Sequence, residues 1–242
     1  MSALLPAGSP LLRVGFVGLA LFLAALFAFA VNRAWTRYGA PRGVVTRSTT
    51  LAAAAAFGWL ALTAGAAVLG WLHFTNPPTM PLLIGTGFAL AIVIGLSGVG
   101  KRLAGQLPLA ALVGFQSFRI VVELLLHRAY LDGLMPIQMS YSGRNFDIVT
   151  GITAIPLALW LVRDGRPVRL VFLWNVMGLA LLVNIMAVAM LSAPTPFRFF
   201  MNSPANVWVI FAPWVWLPTV MVMSALLGHL LTFRALAMRR TP

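Results

Sequence analysis

Apolar residues along this chain come in long unbroken runs, not in the alternating or amphipathic patterns of water-soluble strands and helices. Seven runs can be drawn, over residues 12–31, 51–72, 81–99, 108–127, 146–162, 168–191 and 206–232. Each approaches the ~20 residues that an α-helix needs to cross a hydrocarbon layer ~30 Å thick, the fifth being slightly short. In lipid the backbone must satisfy its own hydrogen bonds, which a helix does within one segment. The expectation is therefore an all-α, polytopic integral membrane protein, one seven-helix transmembrane domain over residues 1–242.

Within the runs, small residues suggest where helices approach closely. Ala54 with Gly58, Ala61 with Gly65 and Ala66 with Gly70 repeat at four-residue spacing in the second run, and Gly85, Gly87 and Gly95 occur in the third. The seventh carries Trp208, Trp214 and Trp216 with Pro213 and Pro218, which reads as an outer interfacial belt and a bend.

Composition agrees with this reading. With 61% hydrophobic and 9% charged residues, the 242-residue chain has no room for a separate water-soluble domain. The net charge of +13 is distributed unevenly. Arg33, Arg37, Arg42 and Arg47 follow the first run, and Lys101 and Arg102 the third. Arg163, Arg166 and Arg169 stand against Asp164 after the fifth, and Arg234, Arg239 and Arg240 end the chain. The intervening connectors carry little net positive charge. By the positive-inside rule the N-terminus lies outside and the C-terminus in the cytoplasm. A bacterial cytoplasmic (inner) membrane is the expected location. The basic residues then face anionic lipid, and no nucleic acid is expected as a partner, because no basic face on a recognisable module is present. Arg13 and Ala28-Phe29-Ala30 faintly imitate a signal peptide, but the run is too long for one and reads as a retained span. Without cysteine there is no disulfide and no thiolate ligand.

Chemistry concentrates between Gln116 and Asp147. Of the four acidic residues, Glu123, Asp132, Asp147 and Asp164, three fall in this stretch. Gln116, Arg119, Glu123 and His127 share one helical stripe, and Arg119 lies about 16 Å along the fourth span from Pro108, near mid-membrane. Charged side chains at that depth face a protein interior or a wet cavity and mark function. The candidate ligand-binding or proton-coupling residues are Gln116, Arg119, Glu123, His127, Tyr130, Asn145 and Asp147. Arg119 would hold an anion or the Glu123 carboxylate, and Glu123 would be the protonatable switch. The expected pocket opens toward the extracytoplasmic side. Asn145 or Asp147 also suits the N-cap of the fifth helix.

Other chemistries leave weaker traces. His73, Glu123, His127 and Asp147 could converge as an N/O site for zinc, with His73 and His127 as an alternative haem pair. Met80, Met135, Met139 and Met201 would suit copper. His229, near the inner end of the seventh run, reads as too distant to join the other histidines. Asn175 and Asn184 read as bridges between helices. A retinal Schiff base is excluded, because Lys101 is the only lysine and sits in a connector. Gly95 to Lys101 imitates a phosphate-binding loop but is followed by Arg102 where Ser or Thr would hold magnesium.

In orientation and three-plus-one-plus-three layout the chain resembles the seven-span sugar carriers, without their proline-glutamine signature: Pro136-Ile137-Gln138 lies in an outer loop. It is similar to the ceramidase and progestin-receptor type of membrane hydrolase in span count, without their late paired histidines. The leading expectation is a small-molecule or ion transporter, or a ligand-binding membrane protein built like one. A membrane-embedded zinc hydrolase and a non-catalytic subunit of a membrane complex, or a homo-oligomer, are the alternatives.

Overall fold

The computed structural model describes residues 8–163 and 168–239; Asp164, Arg166 and Arg240, used above for orientation, lie outside them. Among the described residues regular structure is entirely helical. The α-helices are α1 (Pro10–Arg37), α2 (Arg42–Val68), α3 (Thr79–Leu96), α4 (Gly98–Gln106), α5 (Leu109–Phe115), α6 (Phe118–Leu131), α7 (Ile148–Arg163), α8 (Val168–Ser192) and α9 (Val222–Met238). Six candidate spans are long and apolar enough to cross a membrane: α1, α2, α3, α5 with α6, α8, and Leu217–Met238. The chain is an integral membrane protein by this measure. The apolar α7, at 16 residues, is shorter.

Three departures from the apolar runs have local causes. The fourth run is not one regular helix. At its middle Gln116, Ser117, Arg119 and Ile120 bond three residues back instead of four, a tightened turn that joins α5 to α6. The connector after α3 is itself a helix, α4, whose first amides at Val99 and Gly100 are capped by the Ser97 hydroxyl. There Arg234 donates to the carbonyls of Gly95 and Ser97, both at 2.7 Å, so the glycine-rich stretch is a helix end anchored by a cation.

The third departure is larger. The last candidate span, in the seventh apolar run, starts at Leu217, not near residue 206. Pro213 and Pro218 lack amide hydrogens and disfavour helix in the residues before them. The stretch from 206 to 216 instead folds over one end of the bundle, with a 3₁₀ turn at Trp208–Ile210, and a π-helical turn at Leu217–Met221 leads into α9. Trp208 and Trp214 are consequently buried, edge-on to Phe16 at 5.6 and 5.1 Å, and do not form an interfacial belt.

The small residues of α2 are also corrected. Gly58 and Gly65 have nothing within reach of an added Cβ, because α2 turns Leu60, Thr63 and Ala67 inward instead. In α3, Gly87 and Gly95 do permit close approach, to Trp59 and Leu230.

The apolar interior is divided in two. One cluster gathers Phe16, Val122, Leu182 and Ala225 with Leu134, Met135, Met139, Trp208 and Trp214 from the long connectors. The other gathers Trp35, Leu112, Val113, Trp174 and Leu231. Between them in sequence, on α5–α6, α8 and α9, fall Gln116 and Arg119, Asn175 and Gly178, and His229. A polar layer separates two greasy halves.

Candidate functional site

Arg119 is the centre of this layer. It is 2% exposed, and its guanidinium is met on every side. Nε donates to Asp147 Oδ2 at 2.7 Å and Nη2 to Asp147 Oδ1, the parallel fork that suits a carboxylate best. Nη1 lies 2.9 Å from His229 Nε2, and both Nη atoms lie 3.4 Å from the Gly178 carbonyl. The ion pair expected within one helix, to Glu123, is thus replaced by one to Asp147. Helical side chains lean toward the helix N-terminus, so Arg119 points back from Glu123 rather than up to it.

The tautomer of His229 follows from its neighbour. Asn175 Nδ2 donates to the His229 carbonyl at 3.1 Å, which turns Asn175 Oδ1 toward His229 Nδ1 at 2.8 Å. Nδ1 therefore carries the hydrogen, and Nε2 is left as an acceptor for Arg119. The imidazole is a neutral bridge between α8 and the guanidinium.

Glu123, 1% exposed, has a different partner. Both its oxygens accept from Asn145 Nδ2, at 2.8 and 2.7 Å. The same Asn145 accepts the Asp147 amide on Oδ1 at 3.1 Å, a local turn that sets the Asp147 carboxylate in place at the start of α7. Asn145 thus caps the chain there and leaves the Asp147 side chain to Arg119. Within the layer one guanidinium faces one carboxylate directly, while the second carboxylate is held by an amide alone.

Close packing at glycine makes the convergence feasible. A Cβ at Gly178 would stand 2.7 Å from both His229 and Thr150 side chains, and one at Gly228 would stand 2.7 Å from Gln116 Nε2. Gln116 Nε2 donates to the Ala225 carbonyl at 3.0 Å, while Gln116 Oε1 and Thr150 Oγ1 are buried with no hydrogen-bond partner. Beside Arg119 and Asp147 lies a cavity of about 20 Å³, walled also by Leu182, Met221 and Val222. That is room for one water. Met221 belongs to the π-helical turn, a distortion that recurs at functional sites.

The stripe on the fourth span therefore divides. Gln116, Arg119 and Glu123 join Asn145 and Asp147 in the layer, whereas His127 and Tyr130 lie beyond it. His127 is half-buried at the end of α6, stacked on Tyr141 at 4.4 Å and 3.3 Å from the hydroxyls of Ser140 and Ser142. Tyr130 packs tilted against the His127 ring at 6.0 Å. The layer is also roofed. Gln138 donates to Ser192 at 2.9 Å and accepts from Asn202 at 2.8 Å, and Arg144 lies over the Phe200 ring. The open mouth expected from the sequence is closed in this conformation.

His73 is exposed on the connector between α2 and α3. Among the described residues no three His, Asp or Glu side chains come together as a metal site, so His73, Glu123, His127 and Asp147 are not assembled into one here. Met80, Met135 and Met139 pack in the apolar core, and Met201 is exposed. His229 is the residue that sequence spacing misplaced. Measured from Leu217, where the last span begins, it stands about 18 Å along the helix, at mid-membrane beside Arg119. Asn175 bridges α8 to His229 on α9, whereas Asn184 donates to the Arg144 carbonyl in the connector before α7 and does not join two helices.

Residues 77–237 match a family model described as Domain of unknown function (DUF8737). The chain belongs to that family. The part of this DUF8737 member that matches begins after α2 and contains every residue of the polar layer. No curated protein and no solved structure matches the chain.

Proposed function

We propose that this DUF8737 protein is a seven-span carrier of the cytoplasmic (inner) membrane, N-terminus outside and C-terminus inside, that passes a small molecule or ion through its buried polar layer. Support for the seventh crossing comes from α7, which runs back along the fourth span: Gly151 packs on Ile120 and Ala158 on Gly114. Arg33, Arg37, Lys101, Arg102, Arg163, Arg169, Arg234 and Arg239 then share the inner side.

The observation that carries the reading is the layer itself. Four parts of the chain, α5–α6, the start of α7, α8 and α9, send polar groups to one mid-membrane point that holds a water-sized cavity and two unpartnered buried atoms. Burying such groups in hydrocarbon is costly and marks transport paths more often than packing. In the proposed cycle the conformation described is the closed one. A small anion displaces the Asp147 carboxylate from the Arg119 fork, and Glu123, which is in no ion pair among the described residues, carries the coupled proton. Movement of α9 at the π-helical turn would open the layer.

Vesicles containing the protein and a trapped pH-sensitive dye test this. Challenged in turn with acetate, lactate, phosphate and chloride, they should change internal pH with at least one solute, and Glu123→Gln should abolish the change. No solute-dependent change above protein-free vesicles would overturn the proposal.

A second reading draws on the complete engagement of the Arg119 guanidinium. In it the layer is a lock that fixes helix packing in a non-catalytic subunit of a membrane complex. A double Arg119→Met, Asp147→Leu variant that folds and still retains a co-purifying membrane partner favours this reading.

A further inference from the structure

An apolar groove of about 570 Å³ lies between α7 and α8, lined by no residue of the polar layer, with Trp174 of its wall packed against the His229 ring. Pro156, Leu157, Trp160, Leu170 and Leu173 form its walls. Its polar groups cancel: the Trp174 indole N–H donates to Thr153 Oγ1 at 2.8 Å, and the Thr153 hydroxyl donates to the Val149 carbonyl at 2.6 Å. Nothing in that wall asks for a polar ligand.

Its placement narrows the occupant. From Thr153 to Arg163 the groove side of α7 covers about 15 Å, half of a ~30 Å hydrocarbon layer. A partner helix would need a contact running through both leaflets, whereas one acyl chain needs only one. Arg163 follows the lining residue Trp160 by one turn on α7, and Arg169 directly precedes the lining residue Leu170 on α8; both are exposed and neither is in an ion pair among the described residues. Trp160, 50% exposed, sits one turn below Arg163, at the depth where indoles favour the interface. We infer that the α7–α8 groove binds an anionic phospholipid, its acyl chain against Trp160 and Leu173 and its phosphate between Arg163 and Arg169. This site rests on the proposed crossing of the membrane by α7, and not on transport through the polar layer.

Two guanidinium groups at a membrane surface favour an anionic over a zwitterionic headgroup by roughly thirtyfold. The test uses the full chain in phosphatidylcholine vesicles doped with phosphatidylglycerol carrying a photoactivatable acyl chain, followed by peptide mapping. Label is expected within residues 153–177, competed by unlabelled phosphatidylglycerol and not by phosphatidylcholine. Arg163→Gln with Arg169→Gln should lower it roughly thirtyfold. Leu173→Trp, which fills the groove, should remove it; if that variant fails to fold, the surface arginine pair alone decides. Label spread evenly over all spans, or equal competition by phosphatidylcholine, means ordinary boundary lipid and overturns the inference. So does a protein found cross-linked over the same residues.

Discussion

Asn175 holds His229 in one tautomer. The amide donates to the His229 carbonyl and accepts from His229 Nδ1, so the ring can offer Arg119 only its unprotonated Nε2. Asn175→Leu should leave the ring hydrogen without a partner and cost about 1–3 kcal/mol, read as a fall in melting temperature in detergent. In the native protein, nitrogen NMR at neutral pH should report His229 protonated at Nδ1. A signal from Nε2–H would rule out a hydrogen bond from Arg119 to the ring, because a guanidinium has no acceptor to offer in return.

The two buried carboxylates should respond differently to neutralisation. Asp147→Asn leaves the Arg119 charge buried without its counter-ion and should cost about 3–5 kcal/mol. Glu123→Gln removes no ion pair and should cost no more than about 1–2 kcal/mol. Side-by-side melting curves decide, and equal losses would mean that Glu123 shares the charge of Arg119 after all.

The Arg119→Met, Asp147→Leu pair should be far milder than either single change, because replacing both members of a buried ion pair by apolar residues is often neutral or stabilising. Folded yield and melting temperature of the three variants close that cycle. Under the carrier reading the double variant is well folded and inactive in the vesicle assay.

Gly178→Ala should disturb the layer without touching a charge. Its Cβ would press on the His229 ring and on Thr150, for which about 1–3 kcal/mol of overpacking is expected. The His229 ring signals should shift, while those of His127, which packs against Tyr141 outside the layer, stay in place.

Outside the spans, Asp132 ties the start of α1 to the end of α6. Its carboxylate accepts the Ser9 amide at 2.8 Å and pairs with Arg128 at 2.9 Å. Burial opposes the charge, but the Ser9 hydrogen bonds and Arg128 together outweigh it and hold the carboxyl below the usual carboxylate range. A depressed value stabilises the folded protein above the unfolded pKa, and that stability is lost as pH falls through the depressed value, below about pH 4. Protection of the Ser9 amide, measured against its intrinsic exchange rate at each pH, should fall there, and Asp132→Asn should lack that protection at neutral pH as well.

Helical class, membrane insertion and the position of most spans were legible in the residues alone, because a run of about 20 apolar side chains has one stable arrangement in lipid. The stretch from Gln116 to Asp147 was likewise recognisable as the centre of the chemistry, since charge is scarce elsewhere in the chain. What spacing could not supply was pairing. The choice of Asp147 over Glu123 for Arg119 depends on how α7 docks against α6, and the arrival of His229 depends on where prolines let the last span begin. Burial of Trp208 and Trp214 and closure of the roof over the layer are contacts between segments far apart in sequence. One-dimensional patterning selects which residues leave water; only three-dimensional packing selects which of them meet.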